Sequence, residues 1–388
     1  MNRTPTIFLS AGEVSGDMHA ARLASALRSR LPDVRLLGIG SHRMREAGVE
    51  ILADVTPHAA VGLLEHLPGL RPIARAFAKA RARLEEVRPD LVVLVDYQGA
   101  NMELARHARK LGLRTAYYIA PQEWIWGLKG GPAKVAAVSD VILSVFKPEA
   151  EAYRAAGARV IEVGHPLLDM VPPPRERGRL AAELGLVQGD PVLSLFPGSR
   201  RMEVDRLLPP MLEAAALLQA EIPALRVVLP VASPGLAERI GQGLLEAPAA
   251  RIQVVHDVSG MGVMQLSDVV LAASGTAVLE AAVVGAPVVA AYKVGLLAAW
   301  VGRRLLRTPY VTLPNILTGE AIVPELLQEQ ARGRQMFETA LPLFQDPRRR
   351  VRMLQQLGVV RTRLGEAGAV ERAAGALVSE LACPVGGV

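Results

Sequence analysis

The chain alternates short aliphatic runs with amphipathic stretches of helical period over most of its length. Stretches such as Ala20–Arg30 and Met102–Lys110 carry apolar residues three and four positions apart and lie between the aliphatic runs. This alternation predicts a parallel sheet with helices on both faces. In the amino-terminal part, the runs with the character of buried strands are Thr6–Leu9, Arg35–Gly38, Leu91–Val95, Thr115–Ile119, Val141–Val145 and Val160–Val163.

A proline run, Pro172 to Pro174, followed by a charged segment, predicts a domain boundary. A second series of strand-like runs follows it, and from Pro347 onward the pattern is helical without such a run. We therefore predict an α/β chain of two doubly wound parallel-sheet domains facing a cleft, with a helical C-terminal tail. The predicted parts are a domain at 1–171, a linker at 172–179, a domain at 180–346 and a tail at 347–388. The second series comprises Val192–Phe196, Arg226–Pro230, Ile252–Val255, Val269–Ala272 and Val288–Ala291.

Composition narrows the class of partner. The net charge is +6, which favours anionic partners such as nucleotide phosphates or an anionic lipid surface. Because no zinc-finger or RNA-binding pattern accompanies this charge, we do not expect nucleic acid as a partner. Cys383 is the single cysteine, so neither an internal disulfide nor a thiolate metal site is predicted. The sequence also predicts no signal peptide and no clean apolar run of about 20 residues that would span a bilayer.

Polar residues follow two predicted strands of the first domain. The first strand leads into the glycine-containing turn of Gly12, Glu13, Ser15, Gly16 and Asp17. Its glycines permit close approach to a ligand, and Ser15 and Asp17 are helix-capping residue types; a plain strand–helix turn is the alternative. The strand Leu91–Val95 ends at Asp96, whose carboxylate could act as a general base in the cleft or only cap a turn.

Two turns of the second domain have the character of phosphate sites. Ser199, Arg200 and Glu203 lie where a strand leads into a helix, so backbone N–H groups and a guanidinium could bind an anion. The alternative is an exposed turn with solvated arginines.

The second of these turns is Ser274-Gly275-Thr276, and Glu280 follows one helical turn later. Glu280 could bind ribose hydroxyls or lie on an exposed face. Two such turns suggest a nucleotide diphosphate. No Asp-x-Asp sequence occurs in the chain, so we predict no metal ion and no other cofactor.

Two stretches combine apolar and basic residues, as interfacial helices on anionic lipid do. One extends over 61–77 and the other over 296–307. Core-packing helices with a solvated edge are the alternative. The residues assigned to membrane contact are Leu63, Leu64, Leu67 and Phe77.

Several of these motifs together resemble the lipid A disaccharide synthases. The resemblance is carried, in order and in register, by Ala11–Asp17, Pro197–Arg200, Ala273–Ala277 with Glu280, and Tyr310–Leu317, and it extends from about Ile7 to Gln328. It implies a GT-B fold and transfer of 2,3-diacylglucosamine from its UDP derivative to 2,3-diacylglucosamine 1-phosphate. The products would be lipid A disaccharide 1-phosphate and UDP, formed by inversion.

The resemblance also implies where the enzyme and its site residues lie. It implies a cytoplasmic, peripheral enzyme on the inner face of the inner membrane, with a UDP-sugar donor and a lipid acceptor as partners; a homodimer is left open. Asp96 corresponds to the family's essential aspartate, and Arg200, Glu280 and Asn315 correspond to donor-site positions. The stretch 61–77 falls where the family has a membrane-facing patch.

The first domain departs from the family pattern in three places. The residues after Asp96 are Tyr97-Gln98-Gly99, the segment Ala120–Trp126 carries Gln122-Glu123, and the basic cluster after it is thinned to Leu128–Pro132. These departures concern the side assigned to the acceptor. The alternatives to this transfer are a related UDP-sugar transferase with another lipid acceptor, a UDP-sugar epimerase, which can use the same two-domain architecture, or a non-catalytic sugar-nucleotide sensor.

Overall fold

The computed structural model describes residues 4–55, 70–126, 130–173, 176–231, 234–246, 250–256, 258–295, 299–300 and 304–382. The chain divides into two compact units. The first comprises Met1–Asp169 and Leu364–Val388, and the second comprises Met170–Arg363.

Seven described strands of the first unit form one parallel sheet in the order β3-β2-β1-β4-β5-β6-β7. Its central strand β4 consists of Leu and Val alone, and its five residues are 0–1% exposed. Such a continuous aliphatic run is expected where helices cover both faces of a sheet. The strands are β1 (Thr6–Ala11), β2 (Arg35–Ile39), β3 (Glu50–Ala53), β4 (Leu91–Val95), β5 (Thr115–Tyr118), β6 (Val141–Ser144) and β7 (Val160–Glu162).

The helices of this unit place their apolar faces on that sheet. In α3, Ala76, Phe77, Ala80 and Leu84 are buried, whereas Arg75 is exposed, so the spacing of the apolar residues sets which face packs inward. The helices before the second unit are α1 (Val14–Arg30), α2 (His42–Glu46), α3 (Leu70–Val87), α4 (Gln98–Lys110), α5 (Gly131–Ala136) and α6 (Lys147–Ala155), and a 3₁₀ helix covers Pro166–Met170.

The second unit contains a parallel sheet in the order β10-β9-β8-β11-β12-β13. Its strands are β8 (Val192–Phe196), β9 (Arg226–Pro230), β10 (Ile252–Val255), β11 (Val269–Ala273), β12 (Val288–Tyr292) and β13 (Glu325–Leu327). Its helices are α7 (Arg177–Glu183), α8 (Arg201–Glu221), α9 (Pro234–Glu246), α10 (Gly260–Leu266), α11 (Thr276–Val284), α12 (Leu313–Thr318), α13 (Gly333–Gln345) and α14 (Pro347–Arg363), with a 3₁₀ turn at Gln328–Gln330. Two doubly wound parallel-sheet units were predicted, and this fold class is confirmed.

The division of the chain differs from the predicted one at the linker and the tail. Helix α7 begins at Arg177, inside the stretch predicted as a linker. The tail is not one body: α14 belongs to the second unit, and α15 (Ala369–Ala382) belongs to the first. Helix α15 packs on α1, because the apolar face of α15 needs an apolar partner. Arg30 and Glu371 form an ion pair at 2.9 Å between the two helices.

No helix among the described residues combines the length and the apolar character needed to cross a bilayer.

Candidate active site

The order of strands in the first unit reverses between β1 and β4, which are parallel neighbours. In open parallel sheets, ligands bind beyond the carboxyl ends of the strands at such a reversal. Gly12 and Glu13 follow β1, and Asp96 follows β4, so both predicted turns meet here. A methyl group added at Gly16 would lie 3.9 Å from Asp96 Cβ, which places the start of α1 beside the aspartate.

The turn at Asp96 has an unusual backbone. Asp96 and Tyr97 have φ angles of 50° and 51°, a left-handed conformation that non-glycine residues rarely adopt. Each such residue costs about 1–3 kcal/mol, which contacts with its surroundings must offset, and such residues cluster at functional sites. Asp96 is half-buried at the end of a strand that is wholly buried.

Two buried side chains hold the Asp96 carbonyl in this conformation. The amide Nδ2 of Asn101 donates to the Asp96 carbonyl oxygen at 2.8 Å, and the hydroxyl of Tyr117 donates to the same oxygen at 2.9 Å. Asn101 is itself fixed, because its Oδ1 accepts from Ser10 Oγ at 2.6 Å and its Nδ2 also lies 3.3 Å from the Val95 carbonyl. Each neutral bond contributes about 0.5–1.5 kcal/mol, comparable with the strain of one residue.

Asn101 and Tyr117 were not among the predicted site residues. Both are completely buried, on α4 and β5. The signal that could have found them is a polar side chain inside an otherwise apolar, buried pattern close to the end of a strand.

Tyr97 connects the β1 turn to the Asp96 turn. Its ring lies against Gly12, where an added Cβ would come within 2.1 Å of the ring, so only glycine fits there. Burial and the nearby carboxylate of Glu13 raise the pKa of Tyr97. The ring also stacks on Phe77, with centroids 6.2 Å apart.

This packing corrects the assignment of Phe77. The residue was predicted to contact a membrane, but it is 7% exposed and belongs to the core of the first unit. The other predicted contact residues, Leu63, Leu64 and Leu67, lie outside the described residues.

The predictions for Asp17 and for capping by Ser15 are also wrong. Asp17 is 1% exposed, and its carboxylate accepts from the backbone N–H groups of Ser41 at 2.6 Å and Arg43 at 3.3 Å. It therefore caps α2 and is not a reserve base. Helix α1 has Glu13 at its N-cap position, where no side-chain capping bond is found among the described residues.

A second carboxylate near Asp96 is wholly buried. Glu149 Oε2 accepts from Ser144 Oγ at 2.6 Å and from the N–H groups of Val145 at 2.8 Å and Phe146 at 3.4 Å. Its Oε1 has no partner among the described residues. Burial raises the pKa of Glu149 to about 7, and the Asp96 carboxylate acts in the same direction.

The structure joins two of the three sequence departures. Gln98 Nε2 donates to Glu123 Oε1, and Glu123 is 6% exposed. A Cβ at Gly131 would lie 2.1 Å from Glu123 Oε2, so the third departure also borders this carboxylate. Of that departure, 128 and 129 lie outside the described residues.

In the second unit the order of strands reverses between β8 and β11. The turn at Ser199 and Arg200 follows β8, and the turn at Ser274 to Thr276 follows β11. Both predicted phosphate turns therefore lie at the position where the topology favours a ligand.

In the turn before α8, a carboxylate of the protein already binds the backbone N–H groups that a phosphate would need. Glu203 Oε2 accepts from the backbone N–H groups of Ser199 at 3.0 Å and Arg200 at 3.3 Å, and its Oε1 lies 3.1 Å from Arg200 Nη1. A Cβ at Gly198, which has a φ of 126°, would lie 2.4 Å from this carboxylate. Glu203 thus stands where a phosphate oxygen was predicted, because a carboxylate near a helix N-terminus is favourable.

The turn before α11 is different. No side chain among the described residues caps this helix at Gly275, and Gly275 and Thr276 are exposed. Burial raises the pKa of Glu280, for which the described residues provide no hydrogen-bond or ion-pair partner. Tyr292, at the end of β12, was not predicted. Burial raises its pKa, and the carboxylate of Glu203 adds to this, which places the phenol near that residue.

Asn315 does not face a ligand in the way that was predicted. It is 1% exposed, its Nδ2 donates to the Val323 carbonyl and to Glu325 Oε1, both at 2.8 Å, and its Oδ1 accepts from Val323 N at 2.8 Å. Both amide hydrogens are used, so Asn315 fixes the loop between α12 and β13.

The second apolar and basic stretch is only partly described. Trp300 is 54% exposed, and the guanidinium of Arg304 lies 4.0 Å from the centroid of its ring. The segments 296–298 and 301–303 lie outside the described residues.

Comparison with known proteins gives the family. A family model described as lipid-A-disaccharide synthetase matches residues 7–374. The lipid-A-disaccharide synthase of Nitrosococcus oceani is 40% identical over 364 residues, covering 94% of this chain and 93% of that protein. The lipid-A-disaccharide synthase of Myxococcus xanthus is 38% identical over 374 residues, covering 96% and 97%.

A solved structure gives the fold independently. The UDP-GlcNAc 2-epimerase of Neisseria meningitidis bound to UDP-GlcNAc has a TM-score of 0.65, with 12% identity and coverage of 97% of this chain and 99% of that one. At this identity the likeness concerns the fold alone, and the implied GT-B fold is confirmed. Because the family model spans nearly the whole chain and its relatives reach 38–40% identity, the chain belongs to the lipid-A-disaccharide synthase family of glycosyltransferases.

Proposed function

We propose that this chain transfers 2,3-diacylglucosamine from its UDP derivative to 2,3-diacylglucosamine 1-phosphate with inversion. An acceptor hydroxyl oxygen bonds to the anomeric carbon, the bond from that carbon to the diphosphate breaks, and the hydroxyl proton passes to Asp96. The products are lipid A disaccharide 1-phosphate and UDP. The observation that carries the proposal is the position of Asp96, in a strained turn where the strand order of the first unit reverses. The chain also belongs to the lipid-A-disaccharide synthase family.

The donor end of the reaction is assigned to the second unit. The uncapped N-terminus of α11, at Ser274, Gly275 and Thr276, would accept the diphosphate through backbone N–H groups and the helix dipole. Glu280, which has no described partner, would accept hydrogen bonds from ribose hydroxyls. Arg200, with Ser199, would bind phosphate after exchanging its contact with Glu203 for the ligand.

The acceptor end is assigned to the first unit. Asp96 would act as the general base, and Gly12, Glu13, Ser15 and Gly16 would border the acceptor. A carboxylate in this position can take the hydroxyl proton in concert with attack. The left-handed backbone sets the direction of the Cα–Cβ bond of Asp96, and strained backbone of this kind clusters at functional sites.

Both sugar substrates carry acyl chains, so the protein must reach a lipid surface. We propose peripheral attachment to the anionic inner face of the inner membrane through Leu63, Leu64 and Leu67. The exposed Trp300 with Arg304 is a second contact of suitable chemistry, since aromatic and basic side chains favour the membrane interface.

The reaction is tested with purified protein, UDP-2,3-diacylglucosamine and a set of candidate lipid acceptors. Mass spectrometry should detect the disaccharide 1-phosphate, with one UDP released per disaccharide. Conversion of the UDP-sugar without UDP release would indicate an epimerase instead. Product with only a different acceptor would indicate a related transferase, and binding without turnover would indicate a sensor.

The base is tested by Asp96→Asn, which keeps the size of the side chain and removes its charge. Because a positioned base supplies about 10²–10⁴-fold, turnover should fall by about that factor while UDP affinity is kept. Asp33→Asn, on an exposed loop of the same unit, is the matched control. Near-normal turnover of Asp96→Asn would remove the residue from the base role, and Glu13 would be the next candidate.

A further inference from the structure

The carbonyl of Asp96 is held more firmly than the folding of its strand requires. The residue's N–H already donates to the Tyr118 carbonyl at 3.3 Å, as a neighbouring strand provides. Its carbonyl oxygen then receives two side-chain donors from separate elements, Asn101 on α4 and Tyr117 on β5. These donors fix the peptide that follows the aspartate, and with it the left-handed backbone from which the side chain extends.

We propose that Asn101 and Tyr117 are positioning residues for the transfer reaction, acting through Asp96. Their two hydrogen bonds would hold the Asp96–Tyr97 turn in its left-handed conformation and so direct the carboxylate toward the acceptor hydroxyl. This inference rests on the proposed function, because it assigns Asp96 as the base.

The two donors suit this role. Burial and the Asp96 carboxylate raise the pKa of Tyr117 well above its ordinary value, so its hydroxyl remains a donor throughout the range in which an enzyme works. Asn101 is anchored on the far side by Ser10 Oγ, so its amide cannot rotate freely away from Asp96. Since a displacement of about 1 Å in a reacting group can lower a rate about 10²-fold, small relaxations of this turn should be visible in turnover.

The test variant is Tyr117→Phe, which keeps the ring and removes one donor to Asp96. Its matched control is Tyr153→Phe, another buried tyrosine of the first unit, whose hydroxyl donates to the Pro121 carbonyl and not to the Asp96 turn. We expect Tyr117→Phe to lower kcat about tenfold, with acceptor KM and UDP affinity little changed, and Tyr153→Phe to leave kcat within about twofold. Asn101→Ala should lower kcat by up to about 10²-fold. Because that variant could fail to fold, Tyr117→Phe is the decisive one.

A double-mutant cycle separates positioning from a general structural effect. In an Asp96→Asn background there is no base to direct, so Tyr117→Phe should cause no further loss of the residual turnover. An equal loss in both backgrounds, or an equal loss in Tyr153→Phe, would overturn the inference and leave the proposed function intact. If Asp96→Asn alone keeps near-normal turnover, the base role fails, and the inference fails with it.

Discussion

Glu149 should make the stability of the first unit depend on pH in a direction opposite to that of most carboxylates. Its side chain is 0% exposed, and its pKa is raised from 4.5 to about 7. Below about pH 4.5 both the folded and the unfolded chain bind the proton, so the residue causes no pH dependence. As the pH rises from there to about 7, the unfolded chain releases its proton while the folded chain keeps it. The free energy of unfolding therefore falls over this window.

The magnitude follows from the difference between the two pKa values. Each pH unit of difference corresponds to 1.36 kcal/mol, so the loss should approach about 3 kcal/mol above pH 7. In Glu149→Gln the carboxamide oxygen can accept from Ser144 and Val145 as Oε2 does. Its NH₂ group takes the place of Oε1, where the protonated acid would carry its hydroxyl. The variant should therefore match the wild type below about pH 4.5, exceed it by about 1 kcal/mol at pH 5 and exceed it by about 3 kcal/mol at pH 8.

The assay must report on the first unit alone. Of the three tryptophans, Trp124 and Trp126 belong to the first unit, so a Trp300→Phe background restricts tryptophan fluorescence to that unit. Urea unfolding is then followed from pH 5 to pH 8 in this background with and without Glu149→Gln. Glu151→Gln, on the exposed side of the same helix, is the control. A difference between variant and parent that stays constant across this range would refute the reasoning.

Three further predictions concern UDP binding, membrane binding and turnover. UDP should bind in calorimetry with EDTA present, and an affinity that vanishes on chelation would contradict this metal-independent binding. Glu280→Ala should weaken UDP binding about tenfold or more, whereas the control Glu320→Ala, at an exposed position, should leave it unchanged. Leu63→Glu with Leu64→Glu should reduce sedimentation with anionic vesicles, and unchanged binding would exclude that contact. Gly12→Ala would place a methyl 2.1 Å from the adjacent tyrosine ring. It should lower turnover about 10²-fold while UDP affinity is kept, and normal turnover would show that the ring moves at no cost.

The sheets were predictable because most of their strands are continuous aliphatic runs that can be recognised from the sequence of the strand alone. Strands such as β4 and β11 are aliphatic runs of five residues, which is too short for a helix, and both were predicted at these positions. The strands that were missed, β3 and β13, have four and three residues and lie at the edges of their sheets. An edge strand is covered by fewer neighbours, so its sequence is under less pressure to be continuously apolar.

The position of the site was predictable, but the partners of its polar residues were not. Asp96 had to lie at the carboxyl end of its strand, and it does. Asp17 and Asn315 are bound by backbone groups of segments that a strand-and-helix pattern does not bring together, Ser41 in one case and Val323 in the other. A residue type suited to a ligand is equally suited to a buried backbone group, and only the tertiary structure decides which one it meets.

Glu203 shows where local reasoning could have gone further. A glutamate three residues after the N-cap is a known partner for the free N–H groups of a helix, and Arg200 stands at that N-cap. A phosphate that binds the turn before α8 must therefore displace the Glu203 carboxylate. At the turn before α11, no described side chain caps the helix, so its N–H groups can bind a phosphate directly. Exchange gains little, because the contacts with the leaving carboxylate are lost as the contacts with phosphate form. The net attraction for the diphosphate should consequently come mainly from α11, and Arg200 should contribute chiefly once Glu203 has moved.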